Sequence, residues 1–168
     1  MNVRSLLAAA AAGLFVSIAA PAVRAEDAAA VRKQIEAAYA RSDKAVKTRD
    51  VSHLMDDATP DMTSKTEGRV IKGTDLINVM KQQLAMFKSI DEVSSKITSF
   101  KVNGGTAVVN AESTLVGTLV GPDQKPHKLR SVSKDRDTWV KTPKGWKVKL
   151  TETLGQKNTL DGKAAPGM

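Results

Sequence analysis

Arg136 and Glu152 flank a stretch that reads D-T-W-V-K-T-P-K-G-W-K-V-K-L-T. A guanidinium and a carboxylate brought together on neighbouring strands can clamp an anionic or hydroxylated ligand. Glu152 becomes a candidate general base if its surroundings raise its pKa. The same two groups can also form a plain ion pair at the rim of a sheet. Other reactive residues are sparse. His53 and His127 are the only histidines, and neither has a partner at a spacing that supports zinc. Surface or capping roles suit them better. Ser64 and Ser113 lack an evident histidine partner for a hydrolase triad. Asp56-Asp57 could form a calcium pair, but without an alternating acidic loop it reads as a solvated helix end. Asn103-Gly104-Gly105 is a hairpin turn and not a phosphate loop. The chain has no cysteine, which excludes thiolate nucleophiles and cysteine metal sites. No metal and no cofactor are expected.

The register of the last hairpin decides which of these groups can share a pocket. Pro143 suits the second position of a type I turn, and Gly145 suits a following left-handed bulge position. That reading pairs Thr142 with Trp146, Val140 with Val148, Thr138 with Leu150 and Arg136 with Glu152. Directly opposed residues share a face. Val140, Trp146, Val148 and Leu150 then meet the helices, with Arg136 and Glu152 at the far end of the same face. Trp139 falls on the other face beside Asp137, Lys147, Lys149 and Thr151. There it is either covered by lysine stems or anchors a homodimer, with Lys149 nearby. A plain two-residue turn at Pro143-Lys144 would instead put both tryptophans on one face with Asp135, Asp137 and Glu152. The bulged turn is preferred because it gives Gly145 a clear role.

The elements that must position these residues follow from periodicity. Val31, Ile35, Ala38, Ser42 and Ala45 form a stripe at three- and four-residue spacing, which predicts a helix over 27–47. Asp50 is placed to cap a second, short helix over 51–57, with Leu54 and Met55 inward and Pro60 ending it. Residues 63–71 read as a short hairpin turning at Gly68. A third helix is expected from Thr74 to about Lys88, burying Leu76, Met80, Gln83 or Leu84, and Phe87. From Glu92 the period becomes two, and strands are expected at 92–102, 106–119, 127–141 and 146–154. Helices first and strands after predict an α+β fold.

Residues 1–25 have a positive start, an apolar run from Leu6 to Ala20 and a small residue before Glu26-Asp27. This is the pattern of a cleaved export signal. The run is short for a span, which needs roughly 20 apolar residues. A periplasmic or secreted protein is expected, with no stable membrane insertion after cleavage. The remaining chain divides into one domain at 26–154 and a polar, disordered tail at 155–168. Without Arg4 and Arg24 it carries 24 basic against 18 acidic side chains, a net charge of +6. The lysines are dispersed and the aromatics are few, so nucleic acid is not an expected partner.

The long helix, the R-D-V at 49–51, T-P-D at 59–61, V-I-K-G at 70–73 and the closing W-V-K-T-P-K-G-W-K hairpin together resemble a known superfamily. It is the nuclear-transport-factor-2-like superfamily, in its ketosteroid-isomerase-like and SnoaL-like branch. The resemblance covers about residues 27–154. It implies a cone: a curved antiparallel sheet wrapped around the long N-terminal helix, with two further helices and a pocket at the open end. It also implies a homodimer packed through the sheet. The pocket is expected to gather Tyr39, Ser64, Arg136, Trp146 and Glu152. The isomerase pattern wants a carboxylate base on the first strand, where this chain has M-T-S-K-T at 62–66. Binding of a small, partly apolar ligand without catalysis is therefore the first reading of function. The alternatives are an isomerase or dehydratase using Glu152 with Arg136 or Tyr39, and an assembly module using the sheet face.

Overall fold

The computed structural model describes residues 27–121 and 123–165. The expected export signal lies outside the described residues. Helix α1 spans Ala28–Thr48, and the Asp27 carboxylate accepts a hydrogen bond from Ala29 N at its start. Its buried stripe is Val31, Ile35, Ala38 and Ala45, as the spacing predicts. Arg49 ends the helix in the left-handed region at φ 57°, where its N–H reaches back to the last turn.

The expected second helix is only a 3₁₀ turn, Val51–His53, followed by further turns. Asp50 does not cap it. Its carboxylate instead accepts from the Ser52 hydroxyl at 2.5 Å. The chain must already be extended at Ala58, which pairs with Val148, so no room remains for a helix. Strand β1, Ala58–Thr66, contains Pro60, which was expected to end the short second helix. Its parallel pairing with the last long strand jumps from Ala58↔Val148 to Thr63↔Leu150. The interruption falls around the proline, which has no N–H for the ladder. Strand β2, Arg69–Lys72, completes the small hairpin through Glu67-Gly68.

Helix α2, Gly73–Ala85, buries Leu76 and Leu84 and stops three residues before its expected end. Phe87 already begins β3, Phe87–Asn103, which pairs with β4, Thr106–Val120. Next come β5, Pro126–Thr142, and β6, Gly145–Leu160, with the two-residue β7 at Lys163–Ala164. The sheet order is β2-β1-β6-β5-β4-β3, with β7 on the end of β6. Three register shifts interrupt β3, and such bulges bend a strand and deepen its twist. Gly117 sits opposite Ile90 at one of them. A Cβ there would lie 2.5 Å from the Ser89 carbonyl oxygen. The α+β class and curved antiparallel sheet are as expected, but one α-helix joins α1 where two were expected.

Residues 155–160 are strand, not a disordered tail. They pair with 129–134 of β5, and Leu160 packs near Phe87, Leu119 and Leu129. The polar composition hid this because only Leu160 contributes apolar surface. Backbone pairing supplies the rest.

Candidate functional site

The final hairpin turns tightly. Thr142 pairs with Gly145, Lys141 with Trp146, and Trp139 with Val148. The Thr142 hydroxyl stitches the turn, donating to Gly145 O at 2.8 Å and accepting from Lys144 N at 3.2 Å. Gly145 does adopt φ 100°, but as the first residue of the returning strand. The bulge comes later. Between Trp139↔Val148 and Thr138↔Leu150 the register shifts, with Lys149 as the extra residue.

Both tryptophans therefore point inward and pack with Val31, Ile35 and Ala38 of α1. Trp139 is 3% exposed, so it is no dimer anchor. Lys149, the other residue expected at a dimer face, lies 3.7 Å from the Asp61 carboxylate. Beyond the bulge the expected pairs return: Arg136 opposes Glu152, and Thr138 opposes Leu150. They lie on the outer face. Glu152 meets Lys65 there at 3.5 Å. Arg136 and Glu152 thus share neither a pocket nor a face with Trp146. Ser64 is inward on β1 beside Thr151, and Tyr39 reaches β5. The five expected pocket residues do not form one site.

The inner face holds acids that the preferred register had hidden. Ser131, Ser133, Asp135, Asp137 and Trp139 alternate along β5 toward α1. Tyr39 donates to Asp137 Oδ2, and Thr151 donates to Asp137 Oδ1 at 2.6 Å. The Tyr39 and Trp139 rings meet edge to face, with centroids 5.7 Å apart. Burial raises the Asp137 carboxyl to about 6, although the Thr151 and Tyr39 hydroxyls oppose the shift, and Asp135 adds like charge. Burial first, then the Asp137 charge, drives the Tyr39 phenol far above its ordinary value. One turn further along α1, Asp43 accepts from Ser95 Oγ at 2.7 Å and Ser95 N at 2.9 Å. Burial raises its carboxyl too, against those bonds. Tyr39, Asp43 and Val46 recur at four- and three-residue spacing, the signal that could have put them on one inward stripe.

Toward the other end of β5 this layer gives way to a cavity of about 300 Å³ between α2 and the sheet. Leu84, Phe87, Leu115, Leu119 and Leu129 form its apolar wall. Ser131, Gln156 and Asn158 form a polar side, where Gln156 Nε2 donates to both Ser131 Oγ and Asn158 Oδ1 at 3.1 Å. Gln156 and Asn158 belong to the segment expected to be disordered. Ser131 and Asp137 are six residues apart on one strand, about 20 Å. Asp137 is also only 5% exposed, with a hydroxyl on each oxygen. The dyad cannot touch a ligand held in the cavity. A wider hollow on the outer face is rimmed by Glu112, Arg130, Lys134 and Lys157 and lacks comparable apolar walls. Among the described residues no group of three or more histidine or acidic side chains converges to hold a metal ion.

No protein-family model matches the sequence, and a search of curated proteins finds no match. Solved structures do match. A nuclear-transport-factor-2-like superfamily protein from Salmonella enterica superposes with a TM-score of 0.59 at 15% identity, covering 83% of this chain and 96% of that one. A candidate dehydratase of the same family from Streptomyces avermitilis gives 0.60 at 17%, over 75% and 96% of the two chains. A Nostoc punctiforme protein of unknown function with a cystatin-like fold gives 0.59 at 16%, over 82% and 92%. The chain has the cystatin-like fold of nuclear-transport-factor-2-like proteins, the fold that its sequence resembles.

Proposed function

We propose that this is an exported protein that binds a small, partly apolar molecule in the cavity between α2 and the sheet. The cavity carries the reading: it is open on one side, apolar residues form most of its walls and a few neutral polar groups converge on one of them, the usual make-up of a small-molecule site. Export is supported by the charged, apolar and small-residue order of residues 1–25. A homodimer through the outer sheet face belongs to the same proposal. Exposed Val108 and Leu154 support it now that Trp139 lies inside.

Acid–base catalysis is the second reading. Its support moves from Glu152 and Arg136 to the interior carboxylates Asp137 and Asp43, whose pKa values are raised as such chemistry requires. The separation of Asp137 from the cavity puts binding first.

The test is native mass spectrometry of protein taken gently from the exported fraction, followed by titration with the neutral dye Nile red. A retained mass, or dye fluorescence that Leu115→Trp abolishes while the melting curve stays cooperative, is the expected result. Bare protein that also leaves the dye dark would sink the binding function.

A further inference from the structure

The cavity is lined by 12 side chains, and none is charged. In a chain where 26% of residues carry charge, that selection bears on what the cavity can hold. Eight of the 12 are aliphatic, methionine or phenylalanine. The other four are Gln83, Ser131, Gln156 and Asn158, all neutral. Three of them meet on one wall through the Gln156 amide, whose Nε2 bridges Ser131 Oγ and Asn158 Oδ1. The Ser131 hydroxyl hydrogen and the Gln156 carbonyl add a donor and an acceptor to that wall.

A carboxylate or ammonium ion placed against these walls would give up part of its water with no counter-charge among the lining groups, and even partial burial of an unpaired charge is costly. A carbonyl or hydroxyl on the ligand needs only one hydrogen bond, which the amide wall supplies. The exposed Arg136 and half-buried Glu152, which would have selected a charged ligand, are on the opposite face of the sheet.

We infer that the cavity selects an uncharged ligand with an apolar body and a hydrogen-bonding oxygen, and rejects ions of the same shape. The inference rests on the binding function proposed above. It is tested by calorimetric titration at pH 7.5 with 2-acetylnaphthalene, 2-naphthoate and 2-naphthylmethylammonium, which share one ring system. The ketone binds about tenfold or more tightly than either ion. A smaller preference overturns the inference and leaves the binding function standing. No binding by any of the three, with Nile red also dark, fails the binding function and this inference with it. Gln156 is exposed, so Gln156→Leu spares the fold. That variant weakens the ketone about threefold or more and leaves 2-ethylnaphthalene unchanged. Unchanged ketone affinity overturns the role of the amide wall.

Discussion

The Tyr39 hydroxyl donates to the buried carboxylate of Asp137, pinning the middle of α1 to the inner face of β5. Because burial raises the Asp137 carboxyl above its ordinary value, this pin couples stability to pH. The folded carboxyl titrates at about 6 against an ordinary 3.8. The folded state therefore holds its proton more tightly than the unfolded chain, and stability falls as pH rises from about 4 through 6. The effect is at most about 3 kcal/mol. Urea unfolding at pH 4.5 and pH 7.5 should show a smaller pH-dependent loss in Asp137→Asn than in the parent. Equal loss in both proteins would remove Asp137 as the titrating group. Tyr39→Phe, which strips the hydroxyl alone, should cost about 1–3 kcal/mol at pH 7.5.

His127 closes a second contact, at the cavity end of the sheet. Its Nδ1 lies 2.7 Å from Asp161 and its Nε2 lies 3.0 Å from Asp123. A neutral imidazole has one N–H, so both contacts require the imidazolium. The Asp161 bond first, then the Asp123 bond, raises the His127 pKa. The contribution is complete below the ordinary value of 6.5 and fades as pH climbs through the raised folded value. Thermal melts of His127→Ala should therefore fall furthest below the parent near pH 6 and approach it by pH 9. A gap that stays constant across that range would mean that packing, and not charge, holds the loop.

Residues 155–160 contribute to the sheet, to the cavity through Gln156 and Asn158, and to the apolar cluster beside it through Leu160. A chain ending at Leu154 should unfold at lower urea and lose the Nile red response. A truncated protein with the parent's midpoint and dye signal would restore the picture of a dispensable tail.

The parts of this fold that sequence could reveal were those with local causes. The α1 stripe, the Asn103-Gly104-Gly105 turn and the run of long strands all follow from neighbours in the chain. The last hairpin shows the limit. Its turn and its bulge both shift register by one residue, so Arg136 still meets Glu152, and Trp146 and Val148 stay inward as expected, while β5 and the part of β6 beyond the bulge change face. The bulge at Lys149 has no glycine or proline to mark it. The tighter turn, weighed at the sequence level, does place both tryptophans with Asp135 and Asp137. It misplaces Glu152 because of that unmarked bulge. In β3, three shifts break the alternation that would have revealed its start at Phe87. The cavity was hidden for another reason. Its polar wall lies in a segment whose order comes from pairing with distant residues of β5.

Trp139 separates the sheet-face and core assignments most directly. On an outer face, Trp139→Ala would change assembly and leave stability nearly untouched. In this structure the ring fills the space between Ala107, Val109 and α1, and its removal leaves a cavity that the rigid sheet and helix cannot collapse into. The substitution should cost about 3–5 kcal/mol. Denaturant unfolding reads that loss, and light scattering on the folded fraction reads assembly. A variant that kept its unfolding midpoint would contradict the core placement, and with it the register that brings Asp137 to Tyr39.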